Sequence, residues 1–277
     1  MLKKLYSRIF LLFLLLMIFL PAHAGYDKTS EDYLKNRRHI TPITPAVENF
    51  AQTVVKSALK KETGRNFKVK LSAYTLSSMR KGIFKSLDVY GNDVEIKGIN
   101  LSFVHVYTLS DYNWIDYKQN PPVFKSDINC AYEIGLSQDA INEALLAPKY
   151  QKEIEKINQQ VYPLFCIKKV QTELTDDRIK VIIFYNYPLS PRENDRRFSV
   201  STNLAIQNGE IISTKVYLDR KYRNLSSQSV LNLINLLKPL EYTLDFLNPG
   251  NCNFNIENVN IINNIIQIGG KILIKGE

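Results

Sequence analysis

The sequence predicts an α+β protein built mainly from antiparallel strands, and three observations support this fold class. Apolar and polar residues alternate over many short runs, which is typical of strands with one buried face. Turn-forming pairs, of which Asn208-Gly209 is the clearest, separate neighbouring runs as in hairpins. Helical segments interrupt groups of strands without regular alternation, and no glycine-rich phosphate loop is present, which argues against a doubly wound parallel sheet.

The first 24 residues have the three parts of a secretory signal peptide. Basic residues come first, an apolar run from Ile9 to Leu20 follows, and Ala22-His23-Ala24 forms a small-residue exit before Gly25. We expect cleavage after Ala24 and export to the periplasm or cell envelope. The run is shorter than the roughly 20 residues that span a bilayer, although retention as an uncleaved anchor stays open as an alternative.

Composition narrows the classes of partner. Loss of the signal peptide removes three basic residues and no acidic one, so the formal net charge of +9 becomes +6. Such a surface suits anionic lipid headgroups, whereas nucleic acid is not an expected partner of an exported protein. The three widely spaced cysteines, Cys130, Cys166 and Cys252, predict neither a disulfide framework nor a zinc site, and one bridge or three buried thiols both stay open.

Residues 25–44 lack apolar periodicity, so we expect a flexible leader before one domain over 45–277. A helix is predicted from an N-cap at Thr44 to a stop at Gly64. Period-two alternation then predicts a strand from Phe67 to Ala73. Further strands, at Leu87–Val89, Val94–Ile96 and Ile99–Phe103, are separated by predicted turns at Gly91-Asn92-Asp93 and Lys97-Gly98.

The rest of the chain repeats the order of strands followed by a helix. A strand ending at Ile134 leads into a helix capped by Ser137, and Pro148 either kinks that helix or starts a second one. A later helix is capped by Ser226 or Ser227 and ended by Pro239. The remaining predicted strands cover 164–173, 178–187, 197–207, 210–219, 252–262 and 265–275, and the last two turn at Asn263-Asn264.

The mature chain offers little for catalysis. It has only the histidines His39 and His105 and no GxSxG elbow, so a Ser or Cys nucleophile lacks a recognisable base. Asp176-Asp177 fits a solvated hairpin tip better than a glycosidase pair. We therefore expect no enzymatic activity, no cofactor and no metal site.

Two further groups of residues have open interpretations. The aromatic loop with Asp111, Trp114 and Asp116 either stacks a sugar or closes over a core. Small basic groups either meet phosphates or are ordinary solvated residues. The members of these groups are Lys35, Arg37, Arg38, Arg192, Arg196, Arg197, Arg220, Lys221 and Arg223.

Two segments within roughly residues 65–160 carry a family likeness. One is the glycine-led strand Lys81–Val89 with the following Val94–Ile99, and the other is the helix opener Leu136–Asn142. In this order, and behind a signal peptide, they resemble the LmeA-like phospholipid-binding family of exported bacterial proteins. The resemblance implies a tubular lipid-binding architecture, in which a strongly curved antiparallel sheet wraps a long N-terminal helix and leaves an apolar cavity for acyl chains.

The resemblance also implies a function. We expect a non-enzymatic protein that holds a phospholipid or related amphiphile in an apolar groove, with basic groups near the headgroup and at most peripheral membrane contact. Burial of lipid methylenes is favourable by about 0.8 kcal/mol each, so no catalytic residue is needed. The candidate groove residues are Val47, Phe50, Val54, Phe67, Leu71, Leu87, Val89, Ile96, Leu101, Phe103, Ile141 and Leu145.

Two alternatives stay open. The first is an envelope structural or protein-interaction module without a lipid ligand, using its sheet edges and aromatic loop. The second is an enzyme acting on envelope glycolipids, which depends on Asp111, Asp116 or His105.

Overall fold

The computed structural model describes residues 45–276 except for 97, 117–122, 162–164, 176, 189–195, 220–221, 223 and 245–252. The fold is α+β with mostly antiparallel sheets, as the sequence predicts. The predicted signal peptide, the leader over 25–44 and the N-cap at Thr44 lie outside the described residues.

Helices and strands follow one another in groups. The first group is α1 (Pro45–Thr63), β1 (Phe67–Ser72), α2 (Leu76–Arg80), β2 (Ile83–Phe84), β3 (Ser86–Ile96), β4 (Ile99–Thr108), β5 (Asn113–Asp116), β6 (Val123–Phe124) and β7 (Ile128–Ser137). The second group is α3 (Gln138–Leu146), α4 (Pro148–Val161), β8 (Cys166–Thr175), β9 (Arg178–Asn186), β10 (Arg196–Gln207), β11 (Glu210–Leu218), α5 (Ser227–Leu237), α6 (Glu241–Leu244), β12 (Asn253–Ile262) and β13 (Ile265–Ile274).

The chain comprises two compact units. The second consists of Gly135–Phe246 and Ile256–Ile268, and the first takes the chain before it together with Leu247–Asn255 and Gly269–Glu277. The strands form a six-stranded sheet of order β1-β3-β4-β7-β13-β12, a four-stranded sheet of order β11-β10-β9-β8 and a small sheet of order β2-β5-β6. The single domain predicted over 45–277 stays a prediction.

Helix α1 of the first unit packs on β1 and β3. Its buried residues Val55 and Leu59 are four apart and therefore lie on one helical face. The predicted stop at Gly64 is confirmed, because Gly64 adopts a φ of +70° and its N–H donates to the Lys60 carbonyl at 2.8 Å. Phe50 and Val54 lie on another face of α1 and are exposed.

The turn predicted at Gly91-Asn92-Asp93 is wrong, because β3 runs without interruption from Ser86 to Ile96. Asp93 instead adopts a φ of +50° inside the strand, and the buried side changes there from Leu87, Val89 and Gly91 to Val94 and Ile96. Turn-forming residues thus produce a local distortion of a paired strand rather than its end.

Strand β4 changes its buried side at the matching place. Val106 lies opposite Val89 and Leu101 lies opposite Val94, and all four are buried. Phe103, which the sequence places on the same buried face as Leu101, is only half-buried because it falls at the change of side.

The second unit contains the four-stranded meander β8–β11. Both turns that the sequence predicts within this unit are formed. Asn208 and Gly209 have φ values of +55° and +78° and join β10 to β11. Asn263 and Asn264, at +53° and +58°, join β12 to β13. Two successive residues at positive φ are typical of type I′ hairpin turns, so both predicted turns are confirmed.

Helix ends in the second unit also follow the predicted chemistry. The Ser137 hydroxyl accepts from the Ala140 N–H at 3.2 Å, and the Ser226 hydroxyl accepts from the Ser229 N–H, so these serines cap α3 and α5. Pro148 starts α4 as a separate helix. Helix α5 ends at Leu237 with Lys238 in the left-handed region, just before Pro239.

Helix side chains cover both outer strands of the four-stranded sheet. The Asn142 amide of α3 accepts from the Thr172 N–H of β8 at 2.7 Å and donates to the Thr172 carbonyl at 3.0 Å. Asn158 of α4 makes the same pair of bonds to Ile167 of β8, at 2.7 and 2.8 Å.

On the opposite edge, Asn235 of α5 binds both backbone groups of Ser213 in β11, at 3.0 and 3.3 Å. The outer backbone groups of Thr172, Ile167 and Ser213 are therefore satisfied without a further strand.

Candidate functional site

A pocket of about 370 Å³ lies in the second unit between α5 and the sheet, and we refer to it as the aromatic pocket. Ile183 and Phe198 of the sheet are buried and form its floor, and Val230 of α5 is a buried residue of its wall. Its other described lining residues are Phe165, Tyr185, Tyr187, Asn224, Leu225, Ser226, Ser229 and Leu233. Most of these side chains are aromatic or aliphatic, as in sites that hold apolar groups.

Strand register produces the floor of the aromatic pocket. Ile183 of β9 lies directly opposite Phe198 of β10, so the two side chains share one face of the sheet. Tyr185 follows two residues after Ile183 and therefore points to the same face. The ring of Phe165, which directly precedes β8, meets the Tyr185 ring edge to face at 6.4 Å between centroids.

Helix α5 supplies the opposite wall. Val230, Ile234 and Leu237 recur at helical spacing and are buried, which directs this face of α5 inward. The bonds between Asn235 and Ser213 hold the helix against β11. Ser229 and Leu233 lie one helical turn apart beside this face and complete the wall of the pocket.

The chain leading into α5 forms the mouth of the pocket, and Tyr222 holds it in place. The Tyr222 hydroxyl donates to the Arg197 carbonyl at 2.6 Å, and its ring meets Phe198 at 4.8 Å. The Leu225 N–H donates to the Tyr222 carbonyl at 3.0 Å. Leu225 itself is 47% exposed, so apolar surface faces water at the mouth.

Tyr185 and Tyr187 bring hydroxyl groups to the apolar wall. Burial raises the pKa of the Tyr185 phenol, and its hydrogen bond with Tyr187 raises this pKa further, so the phenol stays protonated at neutral pH. The Arg196 guanidinium lies 4.6 Å from the centre of the Tyr187 ring and places a positive charge beside the pocket.

The aromatic pocket combines apolar side chains with hydroxyl groups. Ser226 and Ser229 offer hydroxyls, but the described lining includes neither a histidine nor a carboxylate to act as a base. The described residues also contain no cluster of His, Cys, Asp and Glu side chains that fits a metal ion.

The other two pockets described in the second unit are smaller and more polar in their lining. One, of about 250 Å³, includes Lys238 and Glu241, which pair with each other at 2.5 Å. The other, of about 300 Å³, includes Asp177 and Asn203. Neither matches the continuous apolar floor of the aromatic pocket.

The candidate groove residues lie elsewhere. Side chains buried in the core are those of Phe67, Leu87, Val89, Ile96, Leu101, Ile141 and Leu145. Leu71 and Phe103 are half-buried, and the side chain of Val47 is outside the described residues. None of the candidates with a described side chain lines the aromatic pocket.

Some of the candidate groove residues are neighbours in the structure. Leu71 of β1 lies opposite Leu87 of β3, and Val89 follows on the same face. Phe50 and Val54 are 71% and 53% exposed and do not fit a cavity wall. The reason is helical phase, since Val55 and Leu59 occupy the face of α1 that packs on the sheet.

The residues considered as weak catalytic candidates make contacts that account for their positions in the fold. His105 contacts Asp88 at 3.1 Å and lies on the sheet between Tyr90 and Tyr107. Asp111 is exposed, and its carbonyl accepts from the Tyr74 hydroxyl.

Trp114, in the predicted aromatic loop, packs on the buried pair Ile83 and Tyr112. Its indole N–H donates to the Lys81 carbonyl at 3.0 Å. These contacts favour closure over a core rather than a sugar platform. Asp116 is half-buried at the end of β5, and Asp176 and His39 lie outside the described residues.

Apolar periodicity predicts the strands and the helix of the aromatic pocket but does not predict the pocket itself. Arg196 and Arg197 are among the predicted candidates for phosphate contact, and of these Arg196 lies beside the pocket. The sequence does contain one feature that points to the pocket. Tyr185 and Tyr187 are two aromatic residues separated by one position, and they precede Arg196 and Arg197 by about ten residues.

Among the described residues, none of the helices is long and apolar enough to cross a bilayer. Comparisons with protein-family models, with curated proteins and with solved structures gave no match.

Proposed function

We propose that this chain is an exported, non-enzymatic protein that sequesters or carries phospholipid-like amphiphiles within the cell envelope. The aromatic pocket is the observation that carries the proposal, because it offers a buried apolar floor with hydroxyl groups on its walls and at its mouth. Its volume of about 370 Å³ lies within the range of roughly 300–1,000 Å³ that is usual for small-molecule sites. Each methylene transferred there from water contributes about 0.8 kcal/mol.

The likeness of Lys81–Asn142 to the LmeA-like family is part of the same proposal, and so is export after cleavage at Ala24. The tubular architecture, with a strongly curved sheet wrapping α1, belongs to it as well. The packing of α1 on β1 and β3 through Val55 and Leu59 supports that arrangement. The acyl chain, however, is assigned to the aromatic pocket rather than to the groove residues predicted from the sequence.

Native mass spectrometry of the protein purified from its own host tests the function. We expect a co-purifying lipid, and binding to vesicles that contain anionic phospholipid. Absence of both would overturn the proposal.

Filling the aromatic pocket tests its location. Ser229→Trp places a large side chain at the pocket wall, and Gln228→Trp places the same side chain one position earlier, on exposed surface outside the described lining. We expect Ser229→Trp to lose most of the bound lipid while Gln228→Trp retains it. Equal retention by the two variants would remove the aromatic pocket as the binding site.

A second candidate function, an envelope protein-interaction module, is favoured by one observation. Phe50 and Val54 lie one turn apart on α1 and are 71% and 53% exposed, which leaves adjacent apolar side chains in water. Photo-crosslinking from position 50 that repeatedly captures one partner, in protein free of lipid, would support this function over the first.

A further inference from the structure

Helix α1 carries a stripe of residues that nothing in the described part of the chain covers. Phe50, Val54 and Lys61 are separated by four and seven positions, so they recur along one side of the helix. All three side chains are exposed, and we refer to them as the α1 stripe. Val55 and Leu59 are buried on another side, where α1 packs on β1 and β3. The stripe therefore takes no part in this packing.

The charged residues of α1 are separated by sign around the helix. Lys60 and Lys61 form its basic last turn, and both are exposed. Glu48 and Glu62 are the two acidic residues of α1, and each lies seven positions from Val55 and therefore follows the buried side. Strand β1, on which α1 packs, contains no acidic residue. The α1 stripe consequently has a cationic end and no acidic neighbour on its own helix.

The two lysines have no competing partner. Among the described residues, neither Lys60 nor Lys61 forms an ion pair, and neither side chain takes part in a hydrogen bond or a ring contact. The ring of Phe50 likewise contacts no other aromatic ring in the described part of the chain. Both charges are therefore available to an anionic surface that covers the stripe.

The size and charge of the α1 stripe favour a lipid surface over a folded protein. A phenylalanine side chain buries roughly 150–250 Å². Even with Val54 beside it, this apolar area falls short of the roughly 800 Å² that a stable protein interface takes from each partner. A bilayer surface needs no such area, because single apolar side chains enter it while adjacent lysines meet anionic headgroups.

Resting on the proposed function, we infer that the α1 stripe docks the first unit on anionic membrane surfaces. Phe50 and Val54 enter the layer between the headgroups and the acyl chains, and Lys60 and Lys61 stay at the level of the lipid phosphates. This contact is distinct from the aromatic pocket, whose described lining includes no residue of α1.

Co-sedimentation with vesicles tests the inference on the protein purified from its host. Vesicles of phosphatidylcholine alone are compared with vesicles that also contain phosphatidylglycerol. We expect binding to the anionic vesicles to be tighter by about fivefold or more, since one lysine near an anionic surface contributes about that factor. Raising the salt concentration should reduce this difference, because salt screens exposed charges.

Two pairs of variants locate the contact. Phe50→Ser is expected to weaken binding to anionic vesicles roughly tenfold or more, because the burial of a phenylalanine ring is lost. Its matched control is Leu109→Ser, which removes an exposed apolar side chain elsewhere in the first unit and should leave the affinity unchanged. Lys61→Gln should weaken binding about fivefold. Lys56→Gln should weaken it less, since Lys56 is exposed two positions after Val54 and so lies on another side of α1.

The outcomes separate the inference from the proposed function. Equal affinity for the two kinds of vesicle, or equal effects within either pair of variants, overturns the inference, and a co-purifying lipid then still supports the proposed function. Crosslinks from position 50 to one protein, without vesicle binding, overturn it in favour of the second candidate function. Absence of vesicle binding together with no co-purifying lipid overturns the proposed function and the inference with it.

Discussion

At the scale of single residues, Asn142, Asn158 and Asn235 act as substitutes for a neighbouring strand. A primary amide presents one donor and one acceptor, as a peptide unit does, so it can satisfy both backbone groups of one strand residue. Each of the three asparagines does so, with donor–acceptor distances between 2.7 and 3.3 Å. Without them, backbone groups along the edges of the four-stranded sheet lose partners.

Asn158→Ala tests this role. Ile167 is 2% exposed, so its N–H and carbonyl lose partners that water replaces poorly. We expect a loss of about 1–3 kcal/mol in the free energy of unfolding, measured by urea denaturation. Gln159→Ala removes an exposed amide at the next position of α4 and controls for helix propensity. Equal stability of the two variants would contradict the edge-covering role.

At the scale of elements, pairing decides where a strand ends. Gly91-Asn92-Asp93 has the composition of a turn, yet β4 pairs with β3 both before and after Asp93 and holds it as one strand, while pairing with β1 extends as far as Gly91. Asn208-Gly209 and Asn263-Asn264 form the predicted turns, since each pair joins two consecutive strands. Local composition therefore located the turns correctly only where the next strand returns along its neighbour.

Gly91 also shows why a glycine occupies this strand. The Phe67 ring on β1 covers it, and a β-carbon at position 91 would lie 2.4 Å from Cε1 of that ring. Gly91→Ala should therefore lower the free energy of unfolding by about 1–3 kcal/mol, as overpacking does. In a double-mutant cycle, Phe67→Leu should reduce this cost by giving the new methyl group room, and additive effects would exclude the proposed contact.

The aromatic pocket was less accessible to sequence reasoning than the strands around it. Alternation identifies which residues of β9 share a face, but Phe165, Phe198 and Val230 come from three other segments. Their convergence depends on the register between β9 and β10 and on the Asn235 bonds of α5. Apolar periodicity does not distinguish a plain core from a cavity, and the predicted groove residues that are buried belong to the core.

At the scale of the whole molecule, a clasp in the first unit joins positions 149 apart in sequence. The Asp127 carboxylate accepts from Lys275 Nζ at 2.8 Å and from the Gly276 N–H at 3.0 Å. Gly276 fits only without a side chain, since a β-carbon would lie 2.6 Å from the Ser126 carbonyl carbon. Burial by itself raises the pKa of Asp127, but the bonds to Lys275 and Gly276 outweigh it and leave the pKa below its ordinary value.

This pKa gives the clasp a defined pH dependence. A carboxylate whose pKa is depressed by folding stabilises the folded state above its unfolded pKa of about 3.9, and the contribution disappears as the pH falls through the folded value. Asp127→Asn should therefore lower the melting temperature at pH 7 and have little effect near pH 2. The control is Asp111→Asn, which changes an exposed carboxylate. A melting-temperature difference of the same size at both pH values would contradict the role of this charge.

The arrangement of the units along the chain has a consequence for the order of folding. The β8–β11 meander joins only consecutive strands, so its contacts are local, whereas β7 has β13 as a neighbour in its sheet. Local contacts form quickly, and pairing across a long loop is slow because the loop must first close. During synthesis, the meander can fold as soon as β11 is complete, while the six-stranded sheet waits for β13. We expect a kinetic intermediate with an ordered meander and a sheet that still lacks its last strands.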